Sequence, residues 1–178
     1  MERILFYTWM PSPVGRLLLA ADEAGLRHII FENGREPAMP RPDWRESAPP
    51  FRETVGQLTA WFAGELREFD LALAPEGPAF HQGVWRELCN IPYGETTSYG
   101  ELARRVGSPN AFRAVGRANG ANPIPIVIPC HRVIGSNGKL TGYGGGLPRK
   151  EFLLALENRQ IALPLAPGAV ALTRGSGA

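Results

Sequence analysis

The sequence predicts a mixed α/β chain of the α+β kind. It has a small antiparallel β-sheet with one helix, then a mostly helical part with a winged-helix-like helix-turn-helix and an active-site strand. Three observations predict this. The first thirty residues are short β-branched and aromatic runs cut by turn residues. Residues 79–120 instead space their apolar side chains at helical intervals, with recognisable start and stop signals. An apolar run, Ile124 to Ile128, then leads into Pro129-Cys130-His131-Arg132-Val133.

Ile4 to Trp9, Leu17 to Ala21 and Leu26 to Phe31 read as strands of a meander, with turns at Pro11–Gly15 and Asp22–Gly25. The stretch Pro37 to Pro50, rich in Pro, Arg and acids, reads as loop. Val55, Leu58, Trp61 and Phe62 give Phe51 to Phe62 a helical period. Phe69 to Leu73 alternates like an edge strand, and Pro75 to Pro78 is a linker. The boundary falls there, giving a strand-rich domain over 1–76, a second domain over 77–160 and a mobile Pro/Gly/Ala tail over 161–178.

Phe80, Val84, Trp85 and Leu88 share one helical face that ends at Ile91-Pro92-Tyr93-Gly94, and Cys89 reads as a small core hydrophobe. Ser98 and Glu101 form a capping box, with Glu101 reaching back to the cap, and Gly107 stops that helix. Ser108-Pro109 opens a second helix, with Pro at its first position, that ends near Gly120. Two short helices about a tight turn make a helix-turn-helix. Asn122-Pro123 breaks the second helix, and Ile124 to Ile128 is the strand that delivers Cys130. Six glycines in residues 135–146 make a flexible loop or wing. Arg149 to Glu157 is a last amphipathic helix, with Phe152, Leu153 and Leu156 inward.

At 178 residues the chain suits one ordinary domain or two small ones, and 44% hydrophobic with 20% charged residues is an ordinary soluble composition. No run of about 18 apolar residues is present to span a membrane. The N-terminus lacks the pattern of a secretory signal. Two cysteines, Cys89 and Cys130, do not make a disulfide framework; one bridge between them is the lesser alternative, since free thiols suit the reducing cytoplasm expected for the chain. Charge is unevenly placed. Residues 1–80 carry eight Arg against twelve Asp and Glu, while residues 81–150 carry nine Lys and Arg against three Glu. A basic segment beside an acidic one predicts a polyanion-binding face on the second part only, against chance scatter of surface charge.

A free thiol has a pKa of about 8.5 and is only a few per cent ionised at neutral pH. A base, an electropositive setting or a helix N-terminus must therefore assist Cys130. His131 is adjacent, but neighbours on a strand point to opposite faces, so a bridging water is expected between them. The imidazole needs an acceptor on its other nitrogen, and Glu157 is the candidate. Cys130 and His131 also have a plain reading as packed core. Adjacent Cys and His rarely share one ion, and His28 and His81 lack ligand spacing, so no metal and no cofactor are expected. Arg113 and Arg117 lie four apart on one helical face. They are either solvated or aimed at phosphates, with Arg113 filling the gap an extruded base leaves.

The motifs Ser98-Tyr99-Gly100-Glu101-Leu102, Arg113-Ala114-Val115-Gly116, Asn122-Pro123, Ile128-Pro129-Cys130-His131-Arg132-Val133 and Gly142-Tyr143-Gly144-Gly145-Gly146-Leu147 occur in one order. In order and spacing, residues 79–157 resemble the O6-alkylguanine-DNA alkyltransferases, or methylated-DNA–protein-cysteine methyltransferases. The N-terminal half is similar only in its strand-rich character. The resemblance implies direct-reversal DNA repair by a single-use methyltransferase. Its partner is double-stranded DNA carrying O6-alkylguanine or O4-alkylthymine, it flips the base, and it acts as a monomer with neither membrane nor cofactor.

The same resemblance implies residue roles. Cys130 accepts the alkyl group, and His131 through a water, with Glu157 behind it, forms the thiolate. Asn122 holds the hinge between helix and active-site strand. Tyr99 presses on the target phosphate and offers its hydroxyl near the base. Arg113 replaces the extruded base, Ser108 and Ser136 touch the DNA backbone with Arg117 beside them, and Val133, Tyr143 and Gly144 form the base pocket. Two departures from the family pattern stand out. Gly144 occupies a position where some relatives have Ser, and the zinc ligands of some members' N-terminal domains are absent. The alternatives are a lesion-binding protein of the alkyltransferase-like kind, which lacks the acceptor cysteine, a helix-turn-helix regulator, and a cysteine hydrolase.

Overall fold

The computed structural model describes residues 3–35 and 38–161. Three antiparallel strands form the expected meander: β1 (Phe6–Met10), β2 (Leu17–Asp22) and β3 (Gly25–Phe31). A fourth, β4 (Arg45–Glu46), adds to β1 in parallel, so the order is β3-β2-β1-β4. That strand lies in the segment read as loop. Two charged residues carry no strand periodicity. Their conformation comes from pairing, with Arg45 N donating to Leu5 O at 2.9 Å and Ser47 N to Tyr7 O at 2.9 Å. The expected edge strand Phe69–Leu73 shrinks to one bridge between Leu26 and Leu73. Here the chain approaches so closely that a Cβ on Gly25, at φ +135°, would lie 2.4 Å from Ala72 O.

β2 is buried on both faces. Leu17 and Leu19 face Phe51, Leu58 and Trp61, while Leu18 and Ala20 pack with Trp44 on the other side. Burying each such side chain stabilises the fold by about 1.5–3 kcal/mol. The helix α1 (Arg52–Ala63) covers the first face and ends on Gly64 in the left-handed conformation. A short 3-10 turn, Pro49–Phe51, precedes it.

The second part packs α2 (Ala79–Leu88), α3 (Tyr99–Arg105) and α4 (Phe112–Gly120) together, with α5 (Leu147–Ile161) alongside. Trp85 ties α2 to α4 by donating its indole N–H to Ala118 O at 2.8 Å. Two short parallel strands, β5 (Thr97–Ser98) and β6 (Val133–Ile134), flank this bundle. One hydrophobic cluster runs from Met10 through Trp61 and Leu88 to Leu156.

Three further expectations are corrected. Ser98 does cap α3, accepting from Glu101 N, but the Glu101 carboxylate turns to Arg104 and Arg105 instead of the cap. Two cations one turn ahead outcompete a neutral amide. Pro109 does not start α4. Residues 108–111 form a turn closed by Ala111 N to Ser108 O, and the helix begins at Phe112. Residues 124–128 are not a strand. No neighbouring strand pairs them apart from an isolated bridge, Pro125 to Ile128, and Ile126 sits at φ +76°. The strand lies after the cysteine, as β6. Finally, residues 162–178 of the expected tail lie outside the described residues.

Among the described residues no helix is long and apolar enough to cross a membrane, and no group of three or more His, Cys, Asp or Glu could hold a metal ion.

Candidate active site

Cys130 is presented by a chain that doubles back tightly. Its N–H bonds Ile128 O at 2.8 Å across Pro129, whose φ of −81° and ψ of 62° are those of an inverse γ-turn. Cys130 then opens a 3-10 turn, Cys130–Arg132, so Cys130 and His131 do not alternate across a strand as expected. Asn122 ties the approach together. Its amide donates to Ile128 O at 2.8 Å, and its carbonyl accepts from Ile124 N at 3.0 Å. A β-branched residue at positive φ, Ile126, is costly, by about 1–3 kcal/mol. The Asn122 clasp around residues 122–128 is what sustains it.

Behind the cysteine is a buried polar network. His131 is fully buried, its Nε2 lies 2.8 Å from Glu157 Oε1, and its Nδ1 has no protein partner among the described residues. Glu157 also accepts from Arg132 through Nε at 3.1 Å and Nη2 at 2.8 Å, and from Gly94 N at 3.2 Å. Arg132 spends a further donor on Ile91 O at 2.7 Å. Burial works against ionising Glu157, but its hydrogen bonds with His131 and Arg132 and the charge of Arg132 outweigh it and hold its pKa at about 2. Burial lowers His131, against the pull of Glu157, so the imidazole is neutral. Burial also pushes the Cys130 thiol up to about 11, with Asn122 and the charge of Lys150 opposing it.

Lys150 is fully buried in the first turns of α5, with its Nζ 2.5 Å from Val133 O and 2.8 Å from Thr141 O. It is a second cation beside the thiol that sequence reasoning gave no role. Arg132 was quoted only as part of a motif. A signal existed for Lys150. Residues 150, 153 and 157 share one face of α5, and Leu153 was expected inward. A helical wheel would have carried Lys150 and Glu157 in with it.

Cys130 opens on a cleft of about 960 Å³ between β3 and α4. Of the expected residues, Tyr99, Arg113, Arg117, Asn122, Tyr143 and Gly144 line it together with Cys130. A Cβ on Gly144 would meet open space. The Tyr143 hydroxyl is buried and unpartnered among the described residues. Tyr99 Oη accepts from Thr141 Oγ1 at 3.2 Å. Arg113 and Arg117 are exposed on α4, next to Gly116 and Gly120 on the same wall. His131 and Glu157 stand behind the cleft. Ser108 and Ser136 lie outside it, in the turn before α4 and in the exposed wing. Val133 is fully buried, and its carbonyl is taken by Lys150.

This arrangement sets a buried thiol in front of a His131–Glu157 pair, at the floor of a cleft rimmed by the cations Arg113 and Arg117. Comparison with known proteins bears on what it does. Two family models match: the ribonuclease-like domain of 6-O-methylguanine DNA methyltransferase over residues 5–75, and the DNA binding domain of the same protein over residues 79–159. A methylated-DNA–protein-cysteine methyltransferase of Methanosarcina barkeri is 54% identical over 157 residues, covering 88% of this chain and 99% of that protein. One from Mycolicibacterium paratuberculosis is 54% identical over 154 residues, covering 86% of this chain and 92% of that protein. The crystal structure of Mycobacterium tuberculosis OGT in complex with DNA superposes with a TM-score of 0.81 at 48% identity, covering 88% of this chain and 94% of that one.

Proposed function

The chain belongs to the 6-O-methylguanine DNA methyltransferase family, the methylated-DNA–protein-cysteine methyltransferases, and on that premise we propose that Cys130 removes alkyl groups from O6 of guanine in duplex DNA, once per molecule. The chain is a DNA-repair methyltransferase by its family. The residue roles rest on the site. The observation that carries them is a buried thiol, backed by the His131–Glu157 pair, facing a cleft rimmed by Tyr99, Arg113 and Arg117.

A thiol at about 11 leaves roughly one part in 10⁴ ionised at neutral pH. His131 therefore takes the thiol proton as the alkyl carbon arrives, through a water at Nδ1, and Glu157 stabilises the imidazolium that forms. The sulfur attacks the alkyl carbon. The S–C bond forms as the C–O6 bond breaks, the electron pair stays on O6, and the proton that His131 took from the thiol passes through water to the leaving base, so guanine departs neutral and the imidazole is restored. The thioether has no return path, so the protein is spent.

Sulfur can reach O6 only if the base leaves the stack. Base flipping, with Arg113 filling the gap and Tyr99 against the backbone, follows from that need. Ser108, Arg117 and Ser136 contact the flanking backbone, and Tyr143 and Gly144 border the base, with Val133 buried behind them and its backbone held by Cys130 O and Lys150. O4-alkylthymine presents the same alkyl–oxygen bond and is a second substrate. The protein works as a monomer, divided at 76/77 in keeping with the matched ranges 5–75 and 79–159. That Cys89 and Cys130 form no disulfide suits the reducing cytoplasm. A lesion binder that transfers nothing has no use for the acceptor cysteine.

Incubation with oligonucleotides carrying O6-methyl- or O6-benzylguanine is expected to add one methyl or benzyl mass per chain, localised to Cys130 by peptide mapping. Catalytic turnover, or an unshifted intact mass, refutes the reading. Replacing Arg113 by Ala is expected to slow transfer from duplex by about tenfold or more, the scale of losing about 1.4 kcal/mol, and to leave transfer from free O6-benzylguanine unchanged. Equal loss on both substrates refutes the gap-filling role.

A further inference from the structure

The segment Gly142–Gly146 walls the Cys130 pocket but does not hold its own shape. Four of its five residues are Gly, and Gly142 and Gly146 have φ of +34° and +88°. Such a chain samples many conformations when free. Two sets of donors restrain its carbonyls. Lys150, from within the same part of the chain, holds Thr141 O at 2.8 Å and Gly142 O at 3.4 Å.

The second set reaches across to the N-terminal sheet. Arg35 N donates to Gly144 O at 3.1 Å. Arg149 donates through Nη1 to Gly145 O at 2.8 Å and Asn33 O at 3.0 Å, and through Nε to Val14 O at 2.8 Å. Its guanidinium lies 5.3 Å over the Phe31 ring, and that ring packs 5.8 Å from Tyr143. A Cβ on Gly145 would fall 2.9 Å from Phe31. The wall is thus seated on Phe31 and strapped down by one arginine.

We infer that Arg149 is a positioning residue that fastens the pocket wall to the N-terminal sheet, so that base recognition by Cys130's pocket depends on contacts from Val14, Phe31 and Asn33. This rests on the alkyl-transfer reading. A planar fork with several N–H donors can meet three carbonyls at once, which an ammonium on a flexible stem does less well. The role differs from that of Arg113, which acts only on duplex. A displaced wall impairs recognition of the base itself, free or in DNA.

The test is the rate of Cys130 alkylation by free O6-benzylguanine, followed by intact mass over a range of concentrations. In R149A the half-saturating concentration is expected to rise by about tenfold or more, within the range that displacing a site by about 1 Å produces. The reaction of Cys130 with iodoacetamide, which needs no base recognition, is expected to stay unchanged. R149K, which keeps charge but loses the fork, falls between wild type and R149A. G145A pushes the wall off Phe31 with Arg149 intact and shows the same pattern as R149A. If R149A does not fold, R149K and G145A decide. An unmodified wild type overturns the alkyl-transfer reading and this inference with it. A modified wild type with unaltered saturation in the variants, or variants that lose iodoacetamide reactivity in parallel, overturns this inference alone.

Discussion

Replacing Cys130 by Ser is expected to abolish alkyl transfer from both duplex and free base while leaving binding to lesion-bearing DNA intact. The reason is the setting of the sulfur. Even the thiol is held at about 11 by burial, and an alcohol there is far harder to ionise and a poorer nucleophile. The proton would have to pass to an imidazole whose own pKa is lowered by burial. In the empty site that transfer runs uphill, because burial raises the thiol and lowers the imidazole. Serine adds to that barrier without gaining reactivity. Its hydroxyl keeps the volume of the site, so stability should change by about 1 kcal/mol or less. Intact mass after prolonged exposure to an O6-benzylguanine oligonucleotide decides the matter, and any benzylated C130S at residue 130 would remove the sulfur from its role.

The largest stability effect is expected at Glu157. Its carboxylate answers His131, Arg132 and Gly94 N together. Glu157→Gln leaves the buried Arg132 without a counter-charge, and breaking a buried pair in this way costs about 3–5 kcal/mol. At about 2–4 °C per kcal/mol for a chain of this size, the melting temperature should fall by about 6–20 °C. Alkyl transfer should fall as well, because His131 loses the acceptor that orients it. E157Q/R132M should recover part of the stability but not the transfer rate, since the unpaired charge is gone while the orientation of His131 is still lost. A melting temperature for E157Q within about 2 °C of wild type contradicts this account.

The same pair sets the acid response of the wild type. The Glu157 carboxyl titrates at about 2 in the fold against 4.5 for its ordinary value. Its contribution is fully present above 4.5 and lost as pH falls toward about 2. The sum is on the order of 3 kcal/mol. His131 adds in the same direction, because a buried neutral imidazole resists the proton the unfolded chain accepts as pH falls below 6.5. Unfolding by acid should therefore be steeper in the wild type than in E157Q.

Much of the site was legible in residue identities. Cys130, His131 and Glu157 were expected together, and His131 Nε2 lies 2.8 Å from Glu157 Oε1. Asn122 was expected at a hinge, and its side chain bridges Ile124 N to Ile128 O. Helices α1 to α5 announced themselves by apolar spacing, and Ser98 and Gly107 by their capping chemistry. These are local signals, set by a few neighbouring residues.

What the sequence by itself determined is therefore the helices and the meander, because each is encoded within a turn or a strand of its own neighbourhood. Tertiary structure alone decided the short strand β4, the strand-less run before Cys130, and the work of Arg149 and Lys150. β4 and Arg149 take backbone partners from far along the chain, Lys150 takes carbonyls on the segment before α5, and residues 124–128 are held by Asn122 and by their own backbone turns. Every residue carries the same carbonyl, so a side chain that binds one leaves no complementary residue in the sequence to betray it.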